Sequence, residues 1–521
     1  MDKNIYLKIS IIDTIGCTER QKEEKMPNWT KEQKQAIYEK GSNLLVAAAA
    51  GSGKTAVLVE RIINKVMNEN IDIDKLLVVT FTNAAAAEMR ERVLDAIYKK
   101  LEDEPENENL QKQLTLLNMA SICTIDSFCL EVVKNNFYEL ENVSPNFRIA
   151  DTPEIELLKQ EILDELFEKK YEEENEDFTK LVSTYTNYRD DTPLKDLILK
   201  IYNYISSSPY PKEWLHEKIE MFNLKDKIHE DFSTTLWGKI LLQEVKEELD
   251  DDITVLQDVQ ESLNYDEELE AFRQIIESDI KQLRALYSNL DNWDSAYQTS
   301  QNIKFMTWSR KKVESEIKDE AKKIRDSVKD KYGKKVNKIL ISNSVQANQD
   351  IYDMYDILKK LENLILEFDA IFYKKKREKN IVDFTDIEHF ALDILLKKQE
   401  DGTVKKTEVA KRYEEKFEEI AIDEYQDSNM VQEYILTSIS RGNNQFMVGD
   451  VKQSIYRFRQ AMPKLFLDKY STFEKVDEDK ENTEAEAEAN NWNNWDVENL
   501  SHRYVGNCRR IQRRTKNDKK W

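Results

Sequence analysis

Residues 47–58 read AAAAGSGKTAVL, and Gly51-Ser52-Gly53-Lys54-Thr55 is the part that can do chemistry. A phosphate-binding loop asks for Gly, four residues, then Gly-Lys-Ser/Thr. Ala48 takes the place of the first glycine, so the strict pattern is broken at one residue. The rest is intact. From Ala50 to Gly53 the backbone N–H groups can curl around phosphate oxygens, with Gly51 and Gly53 free to take left-handed conformations. Lys54 can reach the β- and γ-phosphates, and the Thr55 hydroxyl can hold Mg²⁺.

Four further stretches complement this loop. Asp423-Glu424-Tyr425-Gln426-Asp427 follows the apolar run 419–422. A carboxylate at a strand end can hold the metal, and its neighbour Glu424 can orient and deprotonate water. Residues 449–461, GDVKQSIYRFRQA, also follow an apolar run. Gln453 is placed to contact a γ-phosphate, and Tyr456 and Phe458 to stack on unpaired bases. The same aromatics suit a core plug, and spacing alone leaves both readings open. Thr82 and Asn83, in TFTNAAAAEMRER, offer small polar groups at a helix start, suited to a phosphate backbone. Thr124-Ile125-Asp126-Ser127-Phe128 is the last stretch, again just past an apolar run, where ligands of open α/β sheets sit.

These residues need elements to hold them. Asn43–Ala47, Leu76–Thr80, Ile122–Ile125, Glu419–Ile422 and Gln445–Val448 are short apolar runs that predict buried parallel strands. Val57, Leu58, Ile62, Ile63 and Val66 recur at helical spacing after the loop. Thr30 is placed to cap a first helix. Residues 131–378 change character: they are charged, long-period and poor in strand signals. Leu157, Leu158, Ile162, Leu163 and Leu166 form a stripe there. The pattern predicts a parallel sheet at 26–130, a large helical insertion at 131–378 and a return of the sheet at 379–475. Residues 1–25 read as a disordered extension or a misplaced start. Residues 476–521, acidic and Asn-rich and then basic, read as an out-of-frame translation or a gene break.

Bulk properties narrow the setting. The net charge of −23 argues against a nucleic-acid partner when taken alone, but a sum does not exclude a local basic path. Arg310-Lys311-Lys312 and Lys374-Lys375-Lys376-Arg377 are candidate contacts, though a charge run is usually a solvated face. The four cysteines have no metal-ligand spacing and fit a reduced, cytoplasmic setting. No apolar run is long enough to span a membrane.

The five stretches, in this order, resemble superfamily 1 helicases of the UvrD/Rep kind. The resemblance implies that Gln33 reads adenine, and that Lys54 and Thr55 serve nucleotide and Mg²⁺. It implies that residues 80–92 and 124–128, with Thr82, Asn83, Ser127 and Phe128, meet single-stranded DNA. Asp423 becomes the Mg²⁺ ligand and Glu424 the general base. Gln453, Tyr456 and Arg459 couple the γ-phosphate to DNA. The wording of VVTFTNAAAAEMRERV, TIDSFCLEVV, NFRIAD, VDFTDIEHFALDIL and GDVKQSIYRFRQA is closer still to the AddA-type component of AddAB helicase-nucleases, over residues 27–475.

That family implies a RecA-like P-loop sheet, domain 1A, interrupted by a helical domain 1B. It implies ATP-driven 3′-to-5′ movement on single-stranded DNA, action on double-strand ends in recombinational repair, and an AddB-type partner. Asp126 departs from a histidine common in the wider family. Residues 476–521 match none of the later motifs, the second RecA-like domain or the nuclease domain. The chain is therefore expected to be a weak ATPase by itself, and a non-enzymatic ATP- and single-strand-binding remnant is the alternative.

Overall fold

The computed structural model describes residues 6–11 as backbone, and 29–49, 51–141, 143–186, 190–450, 452 and 462–475. They divide into two units. The first comprises the described residues up to Leu215 and from Asn363 onward, and the second is His216–Glu362.

The first unit is built on a parallel sheet. Its strands are β1 (Tyr6–Ile11), β2 (Asn43–Ala48), β3 (Leu76–Thr80), β4 (Ser121–Thr124), β9 (Glu419–Ile422), β10 (Gln445–Gly449) and β11 (Glu474–Lys475). They run side by side in the order β11-β1-β2-β10-β9-β3-β4, and every pairing is parallel. Strands β3, β9 and β10 are buried at every residue, as both-sided coverage by helices requires. Alternate residues feed two separate cores. Leu45, Leu77, Val79, Ile420, Ile422 and Met447 face one, which is completed by the helices Ile125–Asn136, Phe384–Leu395 and Met430–Ser438. Leu44, Val46, Leu76, Val78, Phe446 and Val448 face the other, against the helices Lys54–Asn68 and Asn83–Asp103.

Residues 6–11 lie within the segment that composition set apart as an extension. They pair with all six residues of β2, from Tyr6↔Asn43 to Ile11↔Ala48. The alternation of Leu7, Ile9 and Ile11 with Lys8 and Ser10 is the strand signal there.

Two short ladders complete the unit. Strand β5 (Arg148–Ile149) pairs in parallel with β6 (Ile381–Val382), and β7 (Leu396–Lys398) pairs antiparallel with β8 (Val404–Lys406). The long helical stretch leaves the sheet after β5 and returns at β6. On the helix Thr152–Glu172, Leu158, Ile162, Leu163 and Leu166 are buried as the stripe predicts. Leu157 is 67% exposed, because neighbouring helical positions point about 100° apart.

The second unit is helical. The helices Leu236–Ser262, Glu270–Tyr287, Trp293–Asn302 and Glu316–Lys331 enclose their own core, which includes Leu249, Leu256, Phe272, Leu283 and Trp293. A π-helical turn, Tyr332–Val336, follows the last of them. The α/β fold with a large helical insertion is therefore as the sequence pattern predicts.

Candidate functional site

The loop after β2 has the conformation its glycines permit. Gly51 and Gly53 sit at φ +80° and +81°, a region that a side chain strains, and Gly53 opens the helix Lys54–Asn68. Gln33 reaches this loop from the preceding helix. Its backbone N–H donates to Thr30 Oγ1, and its Oε1 accepts from Thr30 N, so Thr30 and Gln33 form a capping box. That leaves Gln33 Nε2 to donate to the Ser52 carbonyl at 3.1 Å. The loop's shape and the Gln33 amide are thus fixed together.

Lys54 and Glu424 meet across the strand ends. Lys54 Nζ lies 3.3 Å from Glu424 Oε2. Glu424 sits at φ +50°, which costs about 1–3 kcal/mol for a residue with a side chain. Its neighbour Asp423 donates its N–H to the Val79 carbonyl of β3 and accepts from Glu424 N at 3.0 Å. Burial, and the Glu424 charge beside it, push the Asp423 carboxyl up to about 6. A half-buried oxygen donor that resists ionisation without a counter-cation is suited to a hard cation such as Mg²⁺. Half-buried Thr55 stands next to Lys54 at the start of the same helix. Among the described residues there is no cluster of three or more His, Cys, Asp or Glu that could hold a metal by itself.

Gln426 was not singled out by the sequence pattern, and it ties two of the motifs together. It is 1% exposed. Its Nε2 donates to Glu424 Oε2 at 2.8 Å, while its Oε1 accepts from Asp450 N at 2.9 Å. A Cβ on Gly449 would come within 2.3 Å of that Oε1. Glycine there lets the end of β10 close onto the 423–427 loop.

Beyond the same strand ends lies a cavity of about 720 Å³, lined by Thr82, Asn83, Asp126, Ser127, Thr152, Asp383, Glu388 and Asn429 among others. Helix starts converge on it. Thr82 caps Asn83–Asp103, Thr124 caps Ile125–Asn136, Asp383 caps Phe384–Leu395 and Asn429 caps Met430–Ser438, while Thr152 begins Thr152–Glu172. Each N-terminus carries roughly half a positive charge, which offsets the carboxylates of Asp126, Asp383 and Glu388 on the same cavity wall. Thr82, Asn83 and Ser127, predicted to meet DNA, are exposed at this cavity. Phe128 is a correction. Its side chain is fully buried and packs its ring against Tyr413 and Phe417, on the inward face of its helix, so it is not available to a base.

The basic run Lys374–Arg377 is also engaged elsewhere. Lys375 pairs with Glu165, Lys376 pairs with Asp383 and Asp386, and Arg377 stacks over Tyr373 and Phe390. Ala50, Gln453, Tyr456, Phe458 and Arg459 lie outside the described residues. The convergence of caps was legible in part: Asp383-x-x-Asp386 and Asn429-x-x-Gln432 are capping boxes in the sequence and in the structure.

A family model described as the UvrD/REP helicase N-terminal domain matches residues 29–474. Among curated relatives, the A-subunit of the ATP-dependent helicase/nuclease of Acetivibrio thermocellus is 47% identical over 458 residues, covering 85% of this chain and 36% of the relative. Proteins of the same name from Clostridium beijerinckii and Clostridioides difficile are each 46% identical, covering 86% of this chain and 36% of their own lengths. The chain therefore spans about a third of the relatives it matches.

Proposed function

Because this chain belongs to the UvrD/REP helicase N-terminal domain family, we propose that it supplies the ATP-binding and single-strand-contacting part of a 3′-to-5′ DNA helicase/translocase. The whole protein is then one component of an ATP-dependent helicase/nuclease that acts on double-strand DNA ends in recombinational repair, with an AddB-type partner, in the cytoplasm. Among the described residues no helix is long and apolar enough to cross a membrane. Residues 26–130 and 379–475 form the motor domain, and residues 131–378 its inserted domain.

One observation carries the reading. The Lys54–Glu424 contact and the cavity ringed by helix N-termini lie at the same end of one parallel sheet. Lys54 and the loop N–H groups hold the nucleotide phosphates, Thr55 and Asp423 hold Mg²⁺, and Gln33 positions the base. The metal neutralises phosphate charge when bound. Glu424 takes the proton of the attacking water. When Lys54 turns to the phosphates it leaves Glu424, whose carboxylate is then free to act as base, still held by Gln426. Thr82, Asn83 and Ser127 take the DNA backbone. Gln453 and Arg459 couple nucleotide to DNA, with Tyr456 stacked on a base.

The test is Mg²⁺-dependent binding of a fluorescent ATP analogue, followed by phosphate release with and without single-stranded DNA. Binding that is lost in Lys54→Ala, with DNA-stimulated release lost in Glu424→Gln, is expected. Binding without release, unchanged by Glu424→Gln, would favour a binding-only protein. No nucleotide binding at all would sink both readings.

A further inference from the structure

The mechanism above leaves a buried acid unused. Glu388, on the helix Phe384–Leu395, is 7% exposed and faces the cavity. It comes from a segment that carries none of the ATP or DNA residues named above. Its carboxyl lies within hydrogen-bonding reach of the Asp126 carboxyl, and both line the cavity. Its Oε1 also accepts from Gln432 Nε2 at 2.7 Å. Asp126 directly precedes Ser127, whose N–H and hydroxyl are both held by Thr124 Oγ1. On the other side, Asn429 and Gln432 cap each other at the start of Met430–Ser438. That start follows the short turn Tyr425–Asp427, which closes back on Glu424 through Asp427 N to the Glu424 carbonyl at 2.9 Å. One carboxyl therefore spans the gap between the loop bearing the base and the helix start bearing the DNA contact.

We propose that Glu388 is a positioning residue that locks the Asp126–Ser127 helix start to the Asn429–Gln432 turn, so that nucleotide at Glu424 and DNA at Ser127 affect one another through it. The inference rests on the helicase reading of the two sites. Two carboxyls hydrogen-bonded to each other must share a proton, since like charges at that distance cannot both ionise at little cost. Burial and the Asp126 charge push the Glu388 carboxyl up to about 7. The other titratable groups lining the cavity are Glu156, Lys159, Tyr202, Asp383 and Asp427. Lys159 is paired with Glu156, and Asp383 with Lys376. Losing the shared proton adds a negative charge where a phosphate backbone approaches and sets the two carboxylates against each other. DNA affinity is then highest below about 7 and declines as pH rises through it.

The experiment measures binding of fluorescein-labelled oligothymidylate by the 521-residue chain at fixed salt, with and without Mg²⁺ and a non-hydrolysable ATP analogue, across pH. Glu388→Leu removes the link. It is expected to weaken DNA binding about tenfold, the worth of a buried hydrogen bond to a charged group. It should also abolish the effect of the nucleotide analogue on DNA affinity while leaving analogue affinity itself unchanged. Glu388→Gln keeps the hydrogen bonds without the proton. It is expected to bind DNA as the wild type does near pH ~6 and to lose the decline between about 6 and 8.

The proposal is overturned if Glu388→Leu matches the wild type in DNA affinity and in nucleotide effect, or if Glu388→Gln shows the wild-type pH curve. Should Glu388→Leu fail to fold by circular dichroism, the Glu388→Gln pH curve decides alone. A wild-type chain that binds the analogue but no oligothymidylate sinks the DNA reading and this proposal with it. A wild-type chain that binds both, with inert variants, sinks the proposal alone.

Discussion

The two units bury ionic groups in contrasting ways. In the sheet unit, Arg61 on the P-loop helix grips Glu419 through Nε and Nη2 at 2.9 and 2.6 Å, Lys65 adds a contact at 3.0 Å, and Arg61 Nη1 donates to the Ala36 carbonyl. The guanidinium also lies 4.5 Å from the centre of the Phe446 ring. Arg61 and Lys65 hold the Glu419 carboxyl below its usual range despite full burial. This cluster fixes helix to sheet at the start of β9, so that the far end of β9 can carry Asp423 and Glu424 in less comfortable states. In the helical unit, Arg325 pairs with Asp279 beneath Phe305 and Trp308, and Lys331 and Lys335 serve Glu248 and Asp252. There the ion pairs join helix to helix, and among the described residues no side-chain-bearing position of that unit takes a positive φ. The difference teaches that paired buried charge is scaffold in both units, while a strained backbone beside an elevated acid stands at the strand ends of one.

The largest effect expected from breaking this contrast is catalytic. Glu424→Gln should lower DNA-stimulated phosphate release by about 10²–10⁴, the range for a lost general base, with nucleotide binding retained. Arg325→Met in the helical unit should leave nucleotide binding alone. A comparable loss of phosphate release in Arg325→Met would break the comparison.

Next in size are the scaffold pairs. Arg61→Met leaves Glu419 buried and without its guanidinium, so it should cost about 3–5 kcal/mol in urea unfolding followed by circular dichroism. Arg325→Met should cost a similar amount through Asp279. If each unit holds itself together, the two variants shift separable parts of the unfolding curve. One common shift would show that the units unfold as one.

Gly449→Ala drives a methyl toward Gln426 Oε1 and the Phe466 ring, and should cost about 1–3 kcal/mol in thermal unfolding. It should also slow phosphate release, since Gln426 holds Glu424. Unchanged stability and turnover would show that Gln426 moves aside freely.

A smaller effect is expected from Asp252, whose carboxyl burial pushes up to about 6. Its folded pKa lies above its unfolded value, so the folded state binds the extra proton between about 4 and 6. Stability should be highest below that window, fall by about 2–3 kcal/mol across it and stay level above, and Asp252→Asn should flatten this step. The exposed pair Arg92–Glu88 is the control: Arg92→Ala should change unfolding by less than about 1 kcal/mol.

Much of this protein was decided by its sequence alone. Apolar runs at 43–47, 76–80, 419–422 and 445–448 call for cover on both faces, so parallel strands followed. Gly51 and Gly53 announced the phosphate loop, and Thr30 the first cap. The pairing of 6–11 with β2 was written locally as alternation, but a six-residue signal does not name its partner. What only the tertiary structure decided is where side chains from distant segments point. Phe128 turned inward because the helix that presents Ser127 to the cavity must bury its opposite face. Gln426 became a link because β10 ends beside β9 and Gly449 admits it. Glu388, Asp126 and Gln432 meet through three helix starts far apart in sequence. Periodicity reports which face of an element is apolar, whereas a shared proton or an amide bridging two loops depends on how those faces are stacked.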